Sequence, residues 1–211
     1  MKKIVFMVAF VVFFCGVGHA LQAEDKAYEK NTYKGFGVGI DYRSFQSTLK
    51  MNYAPLIKIG YESLERNQLL EYGLGLGFSL GEIPMTQSII LSRSDQPVTA
   101  TLDKLSVIIL EGKLRKYFED KIHSSEGWFL SGDFHLMFTN NTQSNSGMNG
   151  YELGGGVGHY FKVSERWFIE PEIKVDYTSF TSEKLKGEIV GFKNSLDGFD
   201  IHFEIGSSYY F

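Results

Sequence analysis

The chain has 211 residues, 21 Lys and Arg against 25 Asp and Glu, and a single cysteine. The acidic balance argues against nucleic acid as a partner, and one cysteine leaves neither a disulfide framework nor a cysteine metal site. The length fits one domain, and 23 glycines, 18 phenylalanines and 12 tyrosines beside four prolines favour extended structure.

Met1, Lys2 and Lys3 form a short positive region, Ile4 to Val17 is almost purely apolar, and Gly18 and Ala20 are small. This layout predicts a cleaved secretory signal over residues 1–20, cut after Ala20 or, as second choice, after Ala23. A retained anchor fits less well, because the apolar run is short for a bilayer span. A lipoprotein fits poorly, because the bulky Phe14 precedes Cys15. Cleavage removes Cys15 and leaves 19 bases against 25 acids, a balance of −6. Residues 21–32 are expected to form a polar periplasmic tail and residues 33–211 the folded domain. No second long apolar run follows, so a membrane form of this chain has to be a closed barrel.

The mature chain alternates with a period of two, which helices do not. In the first segment Phe36, Val38, Ile40 and Tyr42 share one face, opposite Gly35, Gly37, Gly39, Asp41 and Arg43. The second sets Ile57, Ile59 and Tyr61 against Lys58, Gly60 and Glu62, and the third runs from Leu70 to Gly81 with glycine at nearly every other place. In the fourth, Leu105 to Tyr117, Ile108, Leu110 and Leu114 oppose Glu111, Lys113 and Arg115, with the apolar Val107 and Ile109 on the charged side. The fifth sets Trp128, Leu130, Phe134, Leu136 and Phe138 against Ser131, Asp133, His135 and Thr139. The sixth, Tyr151 to Lys162, alternates Tyr151, Leu153, Val157 and Phe161 with Glu152, Gly154, Gly156 and Gly158. The seventh sets Trp167, Ile169, Ile173, Val175 and Tyr177 against Glu170, Glu172, Lys174 and Asp176, with Pro171 suggesting a bulge or a later start. The eighth sets Phe199, Ile201, Phe203, Ile205, Tyr209 and Phe211 against Asp200, His202, Glu204, Gly206 and Ser208.

Residue size decides which face turns inward. The polar faces carry the glycines and the apolar faces carry the aromatics, and a small barrel has room inside only for the former. The fold expected is therefore an all-β, eight-stranded, antiparallel, up-and-down transmembrane barrel, rather than a soluble lipocalin-like barrel or sandwich. Short connections (Leu64 to Gln68, Val163 to Arg166) alternate with long ones (Glu82 to Thr101, Ser179 to Asp197), as periplasmic turns alternate with outer loops. The turn from Glu119 to Glu126 is longer than that pattern expects. Phe36, Tyr61, Tyr72, Trp128, Phe161, Trp167, Tyr209 and Phe211 fall near the periplasmic ends, and Tyr42, Phe78, Phe138, Tyr151, Tyr177 and Phe199 near the outer ends, forming two girdles.

The chain stops on Ser207-Ser208-Tyr209-Tyr210-Phe211. This ending resembles the last-strand signal read by the barrel assembly machinery, with Tyr209 and Phe211 as its aromatic positions. The alternating chain as a whole resembles the eight-stranded outer-membrane families, such as the membrane domain of outer-membrane protein A and the outer-membrane protein X group. The resemblance implies a bacterial outer-membrane location, outer-membrane lipid and lipopolysaccharide as surroundings, and a monomer.

Asp133 and His135 share the inward face and invite an acid/base reading. Lipid A deacylases of this shape carry a His-x-Ser-Asn run, but Leu136, Met137 and Phe138 follow His135 here. The two are read instead as members of an interior polar network with Arg43, Glu111, Lys113, Arg115, Lys174, Asp176, His202 and Glu204. The glycine runs lie within strands with no helix after them, which argues against a phosphate loop. His123, His135, His159 and His202 share no metal-ligand spacing, so neither metal nor cofactor is expected. The function expected is a non-enzymatic, porin-like surface protein with a structural or surface-interaction role, the partner being met through the outer loops. The alternatives are a narrow low-conductance pore and, less favoured, a lipid-modifying enzyme. Ser88 to Ser92 and Pro97 to Leu102 could pair as a protruding hairpin, the alternative being a mobile loop. One register is expected for the last two strands: Trp167 opposite Phe211, Lys174 opposite Glu204, Asp176 opposite His202.

Overall fold

The computed structural model describes residues 31–45, 48, 51–92, 99–185 and 188–211. The expected signal and most of the expected tail lie outside them. Nine strands follow in order: β1 (Thr32–Phe45), β2 (Met51–Glu65), β3 (Leu70–Ser79), β4 (Ile83–Ser92), β5 (Thr99–Tyr117), β6 (Glu126–Asn140), β7 (Gly147–Ser164), β8 (Trp167–Leu185) and β9 (Glu188–Tyr210). Every neighbouring pair is antiparallel. The β3–β5 and β1–β9 pairings close eight of the strands into a barrel, while among the described residues β4 pairs with β5 alone.

The side-chain distribution is inverted relative to a soluble protein. Leu74, Phe199, Ile201, Leu153, Phe36 and Trp128 are among the many large apolar side chains exposed on the outside. Charged residues fill the inside, with Arg43, Arg115 and Lys174 each only 1% exposed. An apolar exterior over a polar, hydrogen-bonded interior is the arrangement that a lipid solvent selects. Aromatic rings touch within the girdles: Phe36 packs against Tyr61 and Phe211 with ring centroids 5.7 Å apart in both cases. At the other end Tyr177 and Phe199 pack at 5.3 Å.

Three features bear on the sequence expectations. First, β8 runs through Pro171 without a register shift there, Pro171 facing Ile205 of β9. Partner pairing with β7 lapses opposite it, between Gly158–Glu172 and Phe161–Ile169, so the missing N–H costs little ladder. Second, the two longest connections are themselves strands. Ile89, Ile90, Leu91 and Ser92 pair with Leu102, Thr101, Ala100 and Thr99, so the hairpin does form. Strands β8 and β9 likewise continue outward to the Leu185–Glu188 pair, with extra residues of β9 accommodated between Gly191 and Leu196. Third, the β8–β9 register is two residues away from the one expected: Trp167 faces Tyr209, Lys174 faces His202 and Asp176 faces Asp200. A two-residue slip keeps every side chain on its proper face, so the hydrophobic pattern cannot distinguish the two.

Inward glycines make room for bulk on facing strands. A Cβ on Gly158 would strike the ring of Phe129, which is fully buried and has nowhere to go. Gly158→Ala should therefore destabilise the refolded barrel by about 1–3 kcal/mol. On the lipid face, Gly112→Ala, where only Phe134 O comes within 4.0 Å, should be nearly neutral. Urea midpoints for the two variants in the same micelles check the contrast.

Candidate functional site

The interior has three layers. At the outer end Phe45, Ala54, Leu56, Leu105, Val107, Ile109, Met137, Met148 and Phe180 make an apolar plug. At the periplasmic end Leu64, Tyr117, Ile122, Phe129, Tyr160, Phe168 and Tyr210 make a second, largely aromatic one. The charged network lies between them. A cavity beside it, lined by Lys58, Glu62, Glu111, Lys113, Arg115 and Glu204 among others, has a volume of about 20 Å³, room for about one water.

Within the network many ion pairs reach across the lumen between strands that are not neighbours, and others join adjacent strands. Arg115 of β5 holds Glu170 and Glu172 of β8, each at 2.8 Å. Lys58 of β2 holds Glu111 of β5 at 2.7 Å and Glu204 of β9 at 2.8 Å. Lys174 of β8 holds Asp133 of β6 at 2.6 Å and Glu204 at 3.2 Å. Arg43 pairs with Asp41 at 2.5 Å and with Glu152 of β7. Lys113 bonds Glu62 and lies 3.5 Å from Glu71. His202 Nδ1 lies 2.9 Å from Asp41 and its Nε2 meets Asp176. These cross-lumen contacts satisfy like charges that the ladder sets directly opposite each other, such as Glu172 and Glu204.

Asp133 and His135 are each held by a different neighbour. Asp133 Oδ2 is occupied by Lys174, and His135 Nδ1 lies 2.8 Å from Glu152 Oε1. Both side chains are buried, at 4% and 0% exposure, between the two plugs.

The residue that alternation could not find is Lys121. It lies in the long turn between β5 and β6, outside any period-two pattern, yet its side chain is wholly buried in the barrel mouth. Its ammonium donates to Glu71 at 3.0 Å, Tyr117 at 2.8 Å and Tyr210 at 2.7 Å, and it meets Glu170. It also sits 4.7 Å from the ring centroids of Tyr117 and Tyr210. The turn is held in place from both sides: Arg66 Nε donates to Asp120 at 2.6 Å, and Lys162 N donates to Ser125 O at 2.7 Å. The extra length of this turn thus closes the periplasmic mouth.

At the outer rim Asn141 Oδ1 accepts from the backbone of Gln143 and Ser144, each at 3.0 Å, ordering the β6–β7 turn. Thr142 tethers that turn to the β3–β4 connection, its N–H donating to Glu82 at 2.6 Å and its hydroxyl at 2.5 Å. The Thr142 hydroxyl and amide bonds, with Lys104 nearby, lower the Glu82 carboxyl from 4.5 to about 2. A carboxylate held low contributes stability above its unfolded value and loses it as pH falls through the folded one. The Thr142 amide resonance should accordingly titrate with a midpoint near 2 rather than 4.5, measured by NMR in micelles.

No family model matches the chain, and no curated protein does either. Solved structures do match. Neisserial surface protein A aligns over 86% of this chain and 98% of its own, at TM-score 0.51 and 11% identity. The outer membrane protein OprG of Pseudomonas aeruginosa aligns over 87% of this chain and 97% of its own, at TM-score 0.52 and 9% identity. This chain has an outer-membrane barrel fold. At such identities the likeness speaks for the fold alone.

Proposed function

We propose that the protein is a non-catalytic barrel of the bacterial outer membrane whose activity resides in its outer rim, with a structural or surface-interaction role. The observation that carries this reading is the double closure of the lumen, which leaves the rim as the part of the fold free to meet a partner. There the β4–β5 and β8–β9 hairpins extend the sheet past the apolar belt. Paired strands with exposed edges offer backbone donors and acceptors to an incoming strand. Lipid and lipopolysaccharide surround the belt in this reading, and the chain works as a monomer.

In planar bilayers the reconstituted protein should give little or no steady conductance; large stable channels would overturn the closed lumen and this reading with it. The competing reading of a narrow pore draws on the excess of interior acids and is decided by the same recording.

Tyr209 and Phe211 are proposed to serve assembly. Phe211 N donates to Lys34 O at 2.8 Å and its ring packs on Phe36, contacts that lie at the rim of the barrel. Deleting Phe211 should reduce outer-membrane insertion in cells far more than it lowers the urea midpoint in micelles. Normal insertion in cells would contradict the signal.

A further inference from the structure

Eleven buried carboxylates face five buried lysines and arginines, the nearly buried Lys113 and two buried histidines, so the described interior is short of positive charge. Two of these acids lie close together on β5 and β6. Glu111 lies directly opposite His135 in the ladder, and Asp133 is the next inward residue along β6. One ligand atom from each of Glu111, Asp133 and His135 falls within 4.8 Å of the others, and all three side chains are buried.

What distinguishes this cluster is how its atoms are used. Each residue has one polar atom held by a neighbour and one that is buried without a hydrogen-bond partner. Glu111 Oε2 takes Lys58 at 2.7 Å, and its Oε1 makes no hydrogen bond, with Lys174 Nζ 3.9 Å away. Asp133 Oδ2 takes Lys174 at 2.6 Å, and its Oδ1 is unpartnered. His135 Nδ1 faces Glu152 at 2.8 Å, and its Nε2 is unpartnered, 3.7 Å from Glu111 Oε1. Buried polar atoms without partners are rare in native proteins and call for a ligand, water or ion. A histidine whose Nδ1–H is fixed on a carboxylate, leaving Nε2 as a lone-pair donor, is the usual metal-binding tautomer. The lysines on the second oxygens stand where outer-shell donors stand around a bound ion.

We propose that Glu111, Asp133 and His135 form a structural site for a first-row divalent transition ion such as zinc, with Glu111 Oε1, Asp133 Oδ1 and His135 Nε2 as its ligands. Two carboxylates and one imidazole suit such an ion better than calcium or magnesium, which prefer oxygen alone, or copper(I), which prefers sulfur. Modest side-chain rotation brings the three atoms to the roughly 2.0–2.2 Å that zinc requires. His135 also approaches Glu152 and Asp176, but Arg43 already occupies Glu152 there. The ion clips β5 to β6 in mid-lumen and offsets part of the acidic excess. Because both ends of the barrel are plugged, the ion enters as the barrel closes.

The test unfolds membrane-purified protein in denaturant with chelator and refolds it in detergent with zinc chloride or with chelator alone. Excess ion is removed by gel filtration and zinc is counted by elemental mass spectrometry. Wild type should retain about one zinc per chain and show a higher urea midpoint when refolded with it. His135→Gln and Asp133→Asn should retain roughly a tenth or less, while His202→Gln, at the other buried histidine, should retain the full amount. Folding of each variant is checked by its gel mobility in SDS without boiling. Zinc K-edge absorption of the loaded wild type needs no variant and should show one imidazole with oxygen ligands. Wild type that refolds free of zinc, meaning water only at the site, overturns the proposal, as do zinc without an imidazole signature or equal retention by folded His135→Gln and Asp133→Asn.

Discussion

Arg115→Leu should lower the unfolding free energy of the refolded barrel by about 3–5 kcal/mol. The guanidinium is 1% exposed and bridges Glu170, Glu172 and, at 3.4 Å, Glu71, while lying 4.7 Å above the Phe129 ring. Leucine keeps some of the packing but leaves Glu170 and Glu172 buried with fewer counter-charges. Arg115→Lys should recover part of the loss, since one ammonium cannot reproduce the two-pronged contact to both acids. Replacing Glu170 and Glu172 by Leu together with Arg115 should recover more, because the penalty comes from unpaired charge rather than from absence of the ion pair. Urea titration in micelles reads all three, and a loss under 1 kcal/mol for Arg115→Leu would mean that water reaches these groups.

Lys121→Met should produce a loss of similar size, about 3 kcal/mol, from a residue that belongs to no strand. Its removal leaves Glu71, Tyr117 and Tyr210 around a neutral thioether and frees the periplasmic turn. Amide exchange over residues 118–125 should accelerate in the variant, with the strands of the barrel far less affected. Arg115 and Lys121 share Glu71 and Glu170, so the double variant should depart from additivity. Additive losses would show that the two cations act on separate parts of the network.

How much of this was legible in the sequence depends on which kind of constraint acted. The inside–outside sorting of every barrel strand was legible, down to the inward placing of Val107 and Ile109, because alternation is a local property of the chain. The count of barrel strands was legible for the same reason, whereas the pairing from Ile89 to Leu102 was one of two readings the sequence left open. The β8–β9 register was not, because a shift by two leaves the pattern unchanged. Lys174 and Glu204 nevertheless come within 3.2 Å, along a diagonal rather than straight across. The cross-lumen partners were also hidden: Arg115 with Glu172 and Arg43 with Glu152 lie on strands that are not neighbours, and only closure brings them together. Lys121 was hidden because a turn carries no period, and its excess length was the only trace. The niche of Glu111, Asp133 and His135 escaped because its members come from two strands, where ligand spacing along the chain has no meaning.

The β1–β9 seam, from Gly35–Tyr210 to Arg43–His202, joins the two ends of the sheet. Its loop is nearly the whole chain, so closing it meets the largest entropic barrier of any pairing in the fold. Until that step every lumen-facing charge stands in a water-filled trough, and the partners across the lumen are too far apart to pair. The open intermediate is thus a curved sheet with one wetted and one oily surface, a shape that rests at a bilayer boundary without crossing it. Desolvation of the acids and bases, their neutralisation and passage through the hydrocarbon then coincide in a single late event. Folding and insertion of this barrel are in that sense one reaction, and whatever slows the seam slows both.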